Sequence, residues 1–139
     1  MAEEHKLEAQ VLTPEGSVFE GELFQVSTRT AVGEVGIRAR HAPMVARLVP
    51  CELRLHESDS GDPERYAQGE GWLEVFANRA RVLVAEVIKP EDLDASELRS
   101  RLEEAEQRME EAEEGSAAEE TAEREKARCE AFIEIAESD

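Results

Sequence analysis

The chain has 139 residues, 40% of them apolar but only 4% aromatic, which allows one ordinary domain, or a small domain with an appendage, around an aliphatic core. Its 34 acids against 16 bases give a net charge of −18. A surface this acidic repels phosphate backbones and anionic lipid heads, which disfavours nucleic-acid binding and direct adsorption to membranes.

The charge is uneven: residues 1–90 carry 15 acids and 10 bases, whereas residues 91–139 carry 19 acids and 6 bases. The C-terminal third is physically a different object. No apolar run approaches the roughly 18 residues of a membrane span. The opening Met1-Ala2-Glu3-Glu4-His5-Lys6 lacks the basic-then-apolar pattern of a secretory signal, so a soluble, cytoplasmic protein is expected. Cys51 and Cys129 are isolated and form no CxxC; they read as buried or half-buried free thiols.

Residues 7–12 alternate apolar and polar before Thr13-Pro14-Glu15-Gly16, the pattern of a half-buried strand and a turn. Residues 17–27 continue in the same style, with Gly21 predicted to break them into two strands. Thr28 to Val32 read as a polar connection. Next comes Gly33-Glu34-Val35-Gly36-Ile37-Arg38-Ala39-Arg40-His41-Ala42-Pro43-Met44. Glycines permit a bulge or close backbone approach, and Pro43 removes a donor and pushes Ala42 out of helical space, so this stretch is strand, kink and turn.

After Val45-Ala46-Arg47-Leu48-Val49-Pro50, residues 51–56 alternate cleanly with Leu53 and Leu55 on one face. The polar run 57–64, containing Gly61 and Pro63, reads as a hairpin loop. Strands are expected over 65–68, 72–76 and 82–88, the last apolar on both sides and therefore covered on both. Short strands with frequent turns predict an all-β sandwich or flattened barrel over residues 1–89.

At Lys89-Pro90 the period changes. Asp94 with Glu97 three residues on is a capping-box pattern, and Leu98, Leu102, Ala105, Met109 and Ala112 follow as one narrow helical stripe. Gly115-Ser116 breaks it, and a second stripe runs through Ala118, Ala122, Cys129, Phe132, Ile133 and Ala136. Residues 90–139 therefore read as an antiparallel α-helical hairpin arm. Favourable pairs Glu97–Arg101, Glu104–Arg108 and Glu120–Arg124 are opposed by Glu106–Glu110 and Glu110–Glu114, each worth about 0.2–0.5 kcal/mol. The expectation is a rigid β domain with a conditional arm.

Catalytic and metal signatures are missing from the sequence. His5, His41 and His56 have no ligand spacing, the serines lack a GxSxG elbow, and there is no GxxxxGK[ST] loop. His41 reads as a corner residue whose ring bonds the backbone. The expectation is a chain that is not an enzyme and holds no metal or cofactor.

The order of these elements carries a resemblance. Gly33-Glu34-Val35-Gly36-Ile37 followed by Arg40-His41-Ala42-Pro43-Met44 resembles the Gly-Glu-Leu-Gly-Ile … Gly-His-Ala-Pro-Leu segment of epsilon subunits of bacterial F-type ATP synthases. Gly71-Trp72-Leu73-Glu74-Val75, Val82-Leu83-Val84-Ala85-Glu86 and Glu91-Asp92-Leu93-Asp94 resemble that family's later strands and the start of its helical arm. The resemblance implies a non-catalytic rotor subunit of the central stalk, coupling c-ring rotation to ATP synthesis through the gamma subunit. It also implies peripheral placement on the cytoplasmic face of the membrane, within the proton-translocating complex.

Carried over by position, Glu34 and His41 match the segment that faces the c-ring loops, and Arg38 and Arg40 stand where the family often has other residues, frequently Gly before His-Ala-Pro. The two cations either pair with acidic groups of the partner or are solvated loop charges. Some family members bind ATP through Ile/Leu-Asp-x-x-Arg-Ala. Here Leu93-Asp94-Ala95-Ser96-Glu97-Leu98 puts Glu97 in place of the arginine, so weak or absent nucleotide binding is expected. If the arm extends toward the catalytic alpha/beta head, its basic residues are Arg124, Lys126 and Arg128, set among many glutamates; inhibition of hydrolysis is therefore expected to be weak. The alternatives are a free-standing adaptor gripping a basic partner through its acidic arm, and a small β-sandwich enzyme.

Overall fold

The computed structural model describes residues 5–138, so Met1 to Glu4 of the opening segment lie outside the described residues. The chain divides into two compact units, Met1–Lys89 and Pro90–Asp139. The first contains ten strands: β1 Leu7–Thr13, β2 Gly16–Leu23, β3 Gln25–Thr30, β4 Gly33–Arg38, β5 Met44–Leu48, β6 Cys51–His56, β7 Glu64–Gln68, β8 Gly71–Phe76, β9 Arg79–Val84 and β10 Val87–Ile88. They run in the order β10-β7-β6-β3-β5-β8-β9-β1-β2, with β4 beside β3.

Alternation in sequence becomes alternation in burial. Leu7, Ala9 and Val11 of β1, Leu53 and Leu55 of β6, Leu73 and Val75 of β8, and Ala80, Val82 and Val84 of β9 all point into one aliphatic core. Each large apolar side chain so buried contributes about 1.5–3 kcal/mol. Two blocks of strands are bridged at one backbone pair, Thr30 with Leu48. Folding one block over the other makes the sandwich expected from the sequence.

Three local expectations are corrected. The break after β2 falls at Phe24, not Gly21, because there the chain leaves β1 and begins to pair with β4 and β6. Thr28 and Thr30 are not in a connection: both are buried in β3, and only Ala31 and Val32 form the turn into β4. Residues 82–88 are not one strand covered on both sides. β9 is one-sided with Leu83 exposed, and Ala85-Glu86 carry the chain over to β10, which pairs with β7.

The second unit begins with a 3-10 turn, Pro90–Asp92, followed by α1 Ala95–Glu111 and α2 Ala117–Glu137. Asp94 caps α1 by accepting from the Ser96 and Glu97 amides at 3.0 and 3.2 Å. Gly115, at φ 79°, makes the turn between the helices, and Ser116 caps α2 by accepting from the Glu119 amide at 3.1 Å. Leu98 and Ala105 are buried on α1; Ala122, Cys129, Phe132 and Ile135 are buried on α2. Ala118 is exposed, and Ile135 rather than Ile133 is the buried isoleucine. Of the helical ion pairs expected, Glu104–Arg108 forms at 3.8 Å. Arg101 instead reaches across to Glu125 at 3.4 Å, and Arg99 pairs with Glu137, so charge ties the two helices together.

Candidate functional site, a cationic corner

β4 and the turn after it carry all four residues expected to meet a partner. Arg38, Arg40 and His41 share one corner, whereas Glu34 sits four residues back along the strand, about 13 Å at roughly 3.3 Å per residue. Glu34 is not free: it lies opposite Arg29 in the β3–β4 ladder and pairs with it at 3.1 Å. Both side chains are more than half exposed, so the pair is worth at most about 1 kcal/mol.

The corner itself is tightly built. The His41 amide donates to the Arg38 carbonyl at 3.2 Å, closing a four-residue turn. Arg40 occupies its third position at φ 65°, where a type II turn favours glycine. A side chain in that left-handed region costs about 1–2 kcal/mol. The strain is offset by a hydrogen bond from the Arg40 amide to Asn78 Oδ1 at 2.9 Å. His41 is half-buried, and its Nδ1–H donates to the Ala42 carbonyl at 2.7 Å, the backbone-bonded role read from the sequence.

Arg38 is held on both sides. Its Nε donates to Gln25 Oε1 at 2.7 Å while its guanidinium lies 4.8 Å from the centre of the Phe24 ring. Gln25 in turn donates to Ser27 Oγ at 2.7 Å, and Ser27 meets His56 Nε2 at 3.2 Å. Gly36 makes room for this chain: a Cβ there would stand 2.8 Å from Gln25 Nε2. Burial, and then the charges of Arg54 and Arg38, hold the His56 imidazole below its ordinary value. Neither Asn78's bond to Arg40 nor the Gln25–Ser27–His56 row has a local signal in the sequence, because these contacts are tertiary.

The arm's basic residues do not form a matching cationic face. Arg128 lies 4.8 Å over the Phe132 ring and 3.6 Å from Glu125. Lys126 is half-buried and Arg124 is exposed. Burial, followed by Glu125, pushes the Cys129 thiol up to about 11, so it stays protonated and inert near neutrality. At the start of α1, the Glu97 and Ser96 hydrogen bonds hold the Asp94 carboxyl below its usual range. Glu97 itself is exposed. Among the described residues no cluster of three or more His, Cys, Asp or Glu side chains could hold a metal ion. Among the described residues no helix is long and apolar enough to cross a membrane.

These features define a class: a β-sandwich domain with a fixed cationic corner, followed by an acidic two-helix hairpin. The profile of the ATP synthase delta/epsilon chain β-sandwich domain matches residues 6–90. An ATP synthase epsilon chain of Persephonella marina is 38% identical over 128 residues, covering 91% of this chain and 93% of the relative. One from Halalkalibacterium halodurans is 37% identical over 106 residues, covering 76% and 78%. In the fold, a chain from the Euglena gracilis mitochondrial ATP synthase structure, which contains OSCP, F1 and the c-ring, is similar with a TM-score of 0.77 at 21% identity, over 91% of this chain and 79% of that one. The chain belongs to the ATP synthase epsilon chain family.

Proposed function

We propose that this chain is a non-catalytic subunit of the central stalk of an F-type ATP synthase, coupling rotation of the c-ring to ATP synthesis through the gamma subunit. The observation that carries this reading is the family match over residues 6–90, which includes the whole β domain and its corner. Within it, Glu34, Arg38, Arg40 and His41 face the polar loops of the ring. Arg38 and Arg40 supply registry with acidic partner groups more than raw affinity. The complex places the chain peripherally on the cytoplasmic face of the membrane.

The arm is a weak regulator. Arg128 is engaged with Glu125 and Phe132, and the net charge of the arm opposes an acidic target on the alpha/beta head. Glu97 faces solvent where a triphosphate would need a cation, so nucleotide binding is weak or absent.

The test is capture of purified gamma subunit by the full chain and by a chain ending at Lys89. Capture by both places the interface on the β domain. Capture by the full chain alone moves it to the arm, and capture by neither sinks the stalk reading. Release of a strong block on hydrolysis by removing residues 91–139 from the assembled enzyme would overturn the weak-regulator reading.

A further inference from the structure

We infer that Asn78, in the two-residue turn between β8 and β9, is the positioning residue of the Arg38–Arg40–His41 corner. This rests on the reading of that corner as the ring-facing surface. Asn78 joins three segments distant in sequence. Its Oδ1 accepts from the Arg40 amide at 2.9 Å, its Nδ2 donates to the Lys6 carbonyl at 3.0 Å, and its own carbonyl accepts from the Glu8 amide at 3.1 Å. Both ends of the carboxamide are engaged, and the chemistry of the two partners, one donor and one acceptor, allows only this orientation.

The recipient makes the bond matter. Arg40 is in the left-handed region, where a non-glycine residue persists only when its surroundings hold it. Among the described residues, the adjacent His41 amide and ring are tied to residues 38 and 42 of the same loop. Among the described residues, the Asn78 side chain therefore supplies the hydrogen bond that joins this turn's backbone to another strand connection. Asn78 itself sits at φ 59°, a conformation asparagine tolerates, so the β8–β9 turn presents its carboxamide at a fixed angle.

Two substitutions separate positioning from folding. Asn78→Gly keeps the left-handed turn and removes both side-chain bonds; Asn78→Asp keeps the acceptor for Arg40 and loses the donor to Lys6. In the full chain, amide hydrogen exchange is read at Arg40 and, as a control, at Val82 in the core. Affinity for purified c-ring is measured alongside. Asn78→Gly is expected to speed Arg40 exchange by about tenfold or more while Val82 is unchanged. Asn78→Asp is expected to restore most of the Arg40 protection, and ring affinity should follow the order of the corner. Unchanged Arg40 exchange in Asn78→Gly, an equal acceleration at Val82, or no rescue by aspartate would each overturn the inference. A loosened corner with undiminished ring affinity upholds the positioning role and overturns the ring-facing reading instead.

Discussion

Thr28 donates its hydroxyl to Gln68 Oε1 across 2.5 Å inside the β domain, and the Gln68 amide donates to the carbonyls of Val49 and Gly69, each at 3.2 Å. Gln68 is fully buried, yet each end of its amide has a partner. Removing it leaves buried groups without theirs. Gln68→Ala is expected to lower the free energy of unfolding by about 2–4 kcal/mol in denaturant titration. Combining Gln68→Met with Thr28→Val should cost less than the sum of the single changes, since neither then strands the other.

Gly71 is required by space rather than by backbone angle. A Cβ there would lie 1.9 Å from the Leu83 carbonyl oxygen and 2.7 Å from Val84 Cα, and backbone cannot yield as a flexible side chain would. Gly71→Ala should cost more than about 3 kcal/mol or prevent folding, read by thermal unfolding. A loss below 1 kcal/mol, about the scale of an ordinary surface change, would show that the β8–β9 pair can spread.

Ala77 and Arg40 are in the left-handed region, at φ 51° and 65°. Glycine adopts it without a Cβ penalty. Ala77→Gly and Arg40→Gly are each expected to stabilise the domain by about 1 kcal/mol, raising the melting temperature by a few degrees. Their functional outcomes should differ: Ala77→Gly leaves ring affinity unchanged, whereas Arg40→Gly weakens it by removing a cation from the corner.

His56 gives the β domain a pH dependence of known sign. Its folded imidazole titrates below the ordinary value of 6.5, so the unfolded chain binds a proton more readily. Stability from this group is fully present above 6.5 and is lost as pH falls from there through the lower folded value. Denaturant midpoints between pH 7 and 5, a range of about two units around the histidine reference, should fall less steeply for His56→Gln than for the unsubstituted chain. Equal slopes would show that the ring is solvated in the folded state.

The proposal that Glu97, exposed at the start of α1, disfavours a triphosphate can be tested directly. Calorimetric titration should find weak or no ATP binding in the unsubstituted chain, and Glu97→Arg should raise the affinity. The substitution removes an acid from a helix N-terminus and should itself cost about 0.3–1 kcal/mol. Tight ATP binding by the unsubstituted chain would contradict the reading of this stretch.

The readable parts of the fold were those whose cause is local. Leu53 and Leu55 alternate in the sequence and are buried in the structure, and Asp94 and Ser116 cap helices where the polar-to-periodic switch occurs. Thr28 departs from the polar connection expected of it because its burial is justified by Gln68, 40 residues away. Ile133 and Ile135 are equally apolar, and only packing decides that Ile135 is the buried one. At the corner, the residue types of Arg38, Arg40 and His41 were visible. Asn78 carries no such local signal, since its partners lie 38 and 72 residues away.

β1 and β9 pair in parallel, and contacts such as Arg81 to Gln10 join residues 71 apart. During synthesis the edge of the first strand that meets β9 therefore stays unpaired until the ninth strand has been made. With β10 every strand of the sandwich is present, and the helical arm follows in the chain. Contacts of such long range also slow folding. The acidic arm is made after all ten strands, an order of synthesis that lets the arm be altered without removing any strand the sandwich needs.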